Sequence, residues 1–370
     1  MHIPEHIHKT AALTIISAVL CIIMGYILTS CRGSEKDIQE AGEVHAVVHI
    51  NTGASETKAV EDTEINSIAI FAFSGDNLVG HLYESDITAG KTTFPFNLTS
   101  TGAIDFYVIA NPDKNFFRIV DENGNEPDFD NPSGITPGYL NKCRIELTPD
   151  NEKPDEKDPW YAPMTNLPGA GNTNRRFVVS GPGWVQVDIS LTRAVSKLEV
   201  WFRSNNEYDY NKYRYYSIDH MLLKMPVTSS NAFIENQEAY TTEPTSAEST
   251  GPFVGDFMSY DKDNIPDDFY SEKYFKNIWT YYIFSNLYGG SHAGEAPTVP
   301  DRSTVLTVNY SFHEPPSYTT SYIKDIYLPA CERNTLIKVW CALNDNTDRS
   351  FTYTVSDWDE TVYANVPDFN

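Results

Sequence analysis

Cysteine is scarce in this 370-residue chain, with five residues at positions 21, 31, 143, 331 and 341. That is no disulfide framework, and the absence of any CxxC pair argues against structural zinc. Basic residues are also in short supply. Lys and Arg total 27 against 51 Asp and Glu, a formal net charge of −24. Phosphate backbones are bound by basic faces, so nucleic acid is excluded as a partner. An acidic, self-repelling surface suits a soluble protein outside the cell. Enzyme signatures are missing too: there is no GxSxG, HExxH, P-loop or paired-glycine nucleotide fingerprint. No catalytic residue, cofactor or metal site is therefore expected. No long amphipathic helical pattern and no 20–50-residue repeat is present.

One long apolar run does occur, from Ala11 to Leu28, and it closes on Leu28-Thr29-Ser30-Cys31 before the polar Arg32-Gly33-Ser34-Glu35-Lys36-Asp37. A charged start, an apolar middle and a small-residue cleavage site make a secretory signal. The ending resembles the bacterial lipobox, in which the Cys thiol takes a diacylglycerol and the chain is cut just before it. On that reading residues 1–30 are a lipoprotein signal peptide, Cys31 is lipidated, and residues 31–43 are a polar spacer. The competing reading is a transmembrane anchor, since the run has about the minimum length for a span. Removing residues 1–30 takes away one Lys and one Glu, so the charge balance is unchanged.

The remainder is rich in strand formers and turn formers. Tyr is present 23 times, Phe 19 and Trp 6, with 20 Gly and 22 Pro. Short strands are expected at Val44–Ile50, Ile65–Phe73, Leu78–Tyr83, Lys91–Leu98 and Ile104–Ala110. Further on they are expected at Arg176–Ser180, Trp184–Leu191, Leu198–Phe202, Asn277–Leu287, Val305–Phe312, Ser321–Leu328, Thr335–Leu343, Phe351–Val355 and Thr361–Val366. Ile68 to Phe73 is apolar on both faces, which predicts a central strand. In Trp184–Leu191 the residues Trp184, Val185, Val187, Ile189 and Leu191 are expected mostly on one face. Residues 203–275 are polar and Tyr-rich and read as elaborated loops with weak strands at Ser217–Leu223 and Ala232–Phe233. The pattern is all-β, two β-sandwiches in series, with residues 44–182 in the first and 183–370 in the second.

Several short motifs then fall into a familiar order. After the lipobox come a first strand and a loop carrying Lys58. A strand ending in Ala110-Asn111-Pro112 follows, then Pro163-Met164 and Leu191-Thr192-Arg193-Ala194-Val195-Ser196-Lys197. The chain closes with Arg333-Asn334-Thr335, Val355-Ser356-Asp357-Trp358 and Val366-Pro367-Asp368-Phe369. Together these resemble the fimbrillins of Bacteroidales-type (type V) pili. The resemblance implies two transthyretin-like domains, export as a lipoprotein to the outer membrane, and proteolytic removal of the N-terminal segment. It also implies polymerisation by donor strand with other fimbrillin subunits into an adhesive fimbrium, and a host glycan or protein as receptor. Lys58 stands where the best-known members have Arg. The expected cut falls between Lys58 and Ala59. The expected donor strand alternates Val362, Ala364 and Val366, with Phe369 beyond. Its alternative is a terminal hairpin with Phe351–Val355. An anchor subunit that keeps its lipid, and a surface lipoprotein that binds or degrades glycans, are the other two functional readings.

Candidate chemistry outside that reading is thin. His45 and His49 share one face of a strand and are expected to be edge-strand surface residues, not metal ligands. Asp121, Asn123 and Asn125 mimic the first EF-hand ligands, but Glu126 stands at the glycine position and Pro132 at the final acid. Asp357 and Asp359 flank Trp358, and a turn with a packing Trp is expected there in place of a glycosidase pair. Spacing leaves a Cys331–Cys341 disulfide open.

Overall fold

Period-two alternation in Val-His-Ala-Val-Val-His-Ile-Asn makes a half-buried strand, β1 (Val44–Asn51), with Val44, Ala46, Val48 and Ile50 inward. The computed structural model describes residues 44–52, 64–112, 117–147, 161–205, 208–209, 212–213, 215–225, 227, 229–234, 245–254, 275–289, 300–314, 318–344 and 349–357. Next in the chain is β2 (Ile68–Ser74), an unbroken apolar run. Ile68, Ile70 and Ala72 enter one buried cluster, and Ala69, Phe71 and Phe73 enter another. The strand is therefore central, as its sequence predicts, between β3 (Asn77–Glu84) and β5 (Gly102–Ala110). Gly75 takes the left-handed conformation (φ 62°) in the tight turn from β2 to β3.

The first sandwich has two sheets. One runs β10 (Gly183–Ser190), β1, β4 (Thr93–Leu98). The other runs β11 (Thr192–Arg193), β8 (Met164–Thr165), β5, β2, β3, with β9 (Arg176–Val179) also on β5. Beside it, β6 (Phe117–Val120), β7 (Arg144–Leu147) and β16 (Ser229–Asn231) form a small sheet. A single helical turn, α1 (Pro137–Leu140), precedes β7, capped by the Thr136 hydroxyl, which accepts from the Tyr139 N–H.

The second sandwich also has two sheets. In one, β12 (Val195–Asn205) lies between β18 (Lys276–Phe284) and β21 (Thr335–Asn344), with β22 (Arg349–Asp357) outermost. In the other, β15 (Tyr215–Met225) lies between β17 (Thr245–Val254) and β19 (Val305–Glu314), with β20 (Tyr318–Tyr327) outermost. A two-stranded ribbon, β13 (Tyr208–Asp209) with β14 (Lys212–Tyr213), links β12 to β15. The all-β sandwich architecture is that expected from the sequence.

Three details differ from the sequence reading. By its sequence Gly183–Ser190 opens the second half, yet every one of its residues pairs with β1 in the first. Alternation marks a strand without marking its sheet, so pattern alone misplaces it. Trp184 does not join Val187 and Ile189 in the core: it faces outward and is 71% exposed. Finally, β15 is a core strand and no loop elaboration, with Ile218, Met221 and Leu223 fully buried. Its interleaved Asp219, His220 and Lys224 hide that pattern, and a bulge between Ile218 and His220 breaks the period.

Buried polar side chains fasten the join between the sandwiches. Arg193, 2% exposed, donates to Asn334 Oδ1 at 2.6 Å. Asn334 is left-handed (φ 60°) and its N–H bonds the Val195 carbonyl. Arg333 donates to the carbonyls of Asn231, Ala232 and Ile234 and to Ser230. Ser196 donates to the Glu332 carbonyl at 2.6 Å. Cys143, Cys331 and Cys341 are free, buried thiols, so Cys331 and Cys341 do not pair. Burial pushes the Cys143 thiol up to about 12, and it raises Cys331 and Cys341 as well.

Candidate functional site

The first strand, which the resemblance implies is removed, is held on both edges. β1 runs parallel to β10 from Val44↔Gly183 to Asn51↔Ser190, and antiparallel to β4 from Val44↔Leu98 to His49↔Thr93. Its last rungs are the Ile50 N–H on the Thr92 carbonyl and the Leu191 N–H on the Asn51 carbonyl, each 2.8 Å. It is the middle strand of three, which corrects the expectation that His45 and His49 lie on an edge. Both imidazoles do face outward, because odd positions oppose the buried even ones. His45 Nδ1 meets Asn97 Oδ1 at 2.7 Å and His49 Nδ1 meets Thr93 Oγ1 at 3.1 Å. No group of three or more His, Cys, Asp or Glu able to hold a metal occurs among the described residues.

Beneath β1 lies an apolar floor. The cluster that buries Val44, Ala46, Val48 and Ile50 also holds Ile68, Ile70, Ala72, Ile104, Phe106 and Val108 from the facing sheet. Above, on the outer face, the Trp184 indole stacks on His45 with ring centroids 4.8 Å apart and 27° between planes. Val178, 71% exposed, sits on β9 just before the turn into β10. Sequence reasoning missed the Trp184 pairing because it links residues 139 apart through a parallel register that no local pattern encodes.

Position by position, the other expectations fall as follows. Cys31, Lys58, Ala59, Val362, Ala364, Val366 and Phe369 lie outside the described residues, as do Trp358 and Asp359. The EF-like loop is closed on itself: Asp121 Oδ1 accepts the N–H groups of Asn123 and Asn125 at 2.8 and 2.9 Å. Those bonds hold the Asp121 carboxyl below its ordinary range. Among the described residues β22 is an edge strand, with Val355 47% exposed.

A second polar cluster has hydrolase-like ingredients on the outer face of β15 and β19. Ser217 Oγ lies 2.9 Å from both Asp219 Oδ1 and His313 Nε2. A catalytic triad needs the carboxylate on the far nitrogen of the imidazole. Here Asp219 instead accepts from Ser217 and, at 2.5 Å, from Ser311, while His313 Nδ1 faces Thr319 Oγ1 at 3.4 Å. Ser217 is 2% exposed and its proton is committed to Asp219, so the set ties strands together and does not form an activated nucleophile.

No protein-family profile matches the chain, and no curated protein matches it. Solved structures do match. A candidate cell-adhesion protein of Bacteroides eggerthii superposes with a TM-score of 0.53 at 14% identity, covering 86% of this chain and 97% of its own. One from Parabacteroides distasonis gives 0.52 at 13%, covering 86% and 98%. The fimbrilin FimA of Porphyromonas gingivalis gives 0.46 at 12%, covering 86% and 98%. The chain has the fold of the first two over nearly their whole length, and it is the fold that the resemblance in its sequence implies.

Proposed function

We propose that the protein is a structural subunit of a cell-surface fimbrium, exported as a lipoprotein through Cys31, cut after Lys58 and joined to its neighbours by strand donation. The observation that carries this reading is the place of β1. It is the middle strand of its sheet, and the polar segment after it, residues 52–64, contains Lys58. One cut there detaches a strand that is bonded on both sides. What remains is two facing edges and an apolar floor, a template for another strand. Burying each Val or Ile in such a slot contributes about 1.5–3 kcal/mol.

The C-terminal sequence supplies a matching strand. Val362-Tyr363-Ala364-Asn365-Val366 carries Val, Ala and Val at the spacing of Val44, Ala46 and Val48. Adhesion is supported by the cell-adhesion proteins that share this fold. Assembly with other subunits and a place at the cell surface follow from the same reading.

The test is the N-terminus of the protein on cells, together with removal of residues 361–370. A start at Ala59, and a trimmed subunit that folds and is cut but stays monomeric, is the expected result. A blocked Cys31 with β1 retained shifts the reading to a membrane anchor. Normal fibres from the trimmed chain exclude the C-terminal donor.

A further inference from the structure

We infer that Trp184 is an aromatic docking plate for the C-terminal strand of a second copy of this chain, which lays Tyr363 on the indole where His45 now sits. The inference rests on the strand-donation reading and adds to it a direction, a register and a residue that selects them.

Trp184 is a large aromatic standing 71% exposed on the outer face of β10. Its ring partner across the strand pair, His45, belongs to the strand that leaves. Exposed Trp and Tyr side chains of this kind are concentrated at interfaces, where one flat ring covers much area at little entropic cost. The register of the slot is set by size. Ala46 is fully buried between Val44 and Val48, and Ala364 stands between Val362 and Val366 in the same way. Shifting the donor by two residues would force a Val into the place of Ala46 or of Val48 an Asp, and overpacking or a buried charge would follow.

Val-Ala-Val reads the same in both directions, so the outward residues decide the direction. Entering in the direction of β1 puts Tyr363 at the position of His45, on Trp184, and Asn365 at that of Val47, beside Gln186. Pro367 then falls at the position of His49, one residue before the last rung of β1 on β4. Pro367 has no N–H to give the β10 edge, so the donated strand ends there and Asp368 stays out of the buried position of Ile50. Entering the other way puts Asn365 on the indole and Tyr363 beside Gln186, and the plate is left without a ring.

The experiment uses the mature chain from Cys31 onward, carrying Ser in place of Cys31, nicked by a lysine-directed protease, with the cut mapped by mass spectrometry. Two cysteine pairs report direction. Gln186→Cys with Asn365→Cys is expected to give an oxidised ladder of multimers on a non-reducing gel, and Gln186→Cys with Tyr363→Cys is not. A double-mutant cycle reports the ring contact. Trp184→Ala and Tyr363→Ala are each expected to weaken subunit joining about threefold to tenfold, the worth of one aromatic pair, and together to weaken it no further than either alone. Multimers that crosslink only through 186 and 363, or losses that add independently, overturn the inference and leave strand donation standing. Polymers that crosslink through neither pair exclude the C-terminal strand as donor. A nicked parent chain that never joins overturns strand donation itself.

Discussion

His81 of β3 shows how a single imidazole can tilt stability with pH. Its Nε2–H donates to the Phe129 carbonyl at 2.8 Å and its ring packs against Phe71 at 5.1 Å. Burial lowers its pKa from 6.5, against the opposing pull of the Phe129 carbonyl and of Asp130. In the unfolded chain the imidazole takes a proton near pH 6.5, and in the folded chain it does so only at lower pH. Stability is therefore lost as pH falls below about 6.5. The expected outcome is that His81→Gln flattens the decline in melting temperature between pH 7 and pH 5. An unchanged slope would place the sensitivity elsewhere. Asn111 is a second case. It is 1% exposed and left-handed (φ 57°). Its Oδ1 accepts from Asn66 and Ser67, and its Nδ2 donates to the carbonyls of Glu64 and Ala162. Asn111→Ala strands buried backbone groups on two segments and is expected to cost at least about 2 kcal/mol in urea unfolding. The sequence shows Ala-Asn-Pro as a strand stop. That one amide stitches the entry to β2 to the entry to β8 is invisible in it, because its partners lie 44 to 51 residues away.

Strands were the most legible elements, because apolar alternation and Gly or Pro turns are local. Partners were the least legible. Nothing in Gly183–Ser190 tells that it lies parallel to β1, and nothing in the Asp219 bulge tells that β15 is core. The corner between β3 and β4 is similar: a Cβ on Gly80 would meet Leu98 Cδ2 at 2.5 Å and the Asn97 carbonyl oxygen at 3.0 Å. Gly80→Val is expected to destabilise the fold by about 1–3 kcal/mol through forced separation there, measurable as a lower urea midpoint with the same slope. For β1 the prediction separates precursor from product. Val48 is fully buried, so Val48→Asp puts a carboxylate on the apolar floor and is expected to cost more than about 3 kcal/mol in the precursor. On the proposed maturation, the changed residue leaves with its strand. Subunits that survive to be cut should join as well as the parent does, and poor joining by correctly cut subunits would argue that β1 stays.

At the scale of the molecule, two of the motifs that carry the sequence resemblance, Leu191–Lys197 and Arg333–Thr335, meet at one place. Arg193, Ser196, Arg333 and Asn334 come from segments more than 130 residues apart and meet where β11 passes into β12. Arg333→Met removes donors from a ring of backbone carbonyls and should loosen the join. The expected signature is faster hydrogen exchange in residues 229–234 and 192–196, with the cores of β2 and β19 unchanged. The parallel pairing of β1 with β10 has a further consequence, one of timing. β1 leaves the ribosome before its partner, which follows 139 residues later. At about 5–20 residues per second that is an interval on the order of ten seconds. Until then β1 has β4 alone, and the sheet lacks a side. A chain ending at residue 182 should thus be cleaved indiscriminately around β1, whereas the full chain is expected to be nicked once. On the proposed maturation the departing segment would double as a clock: a clean nick would report that the first sandwich has closed.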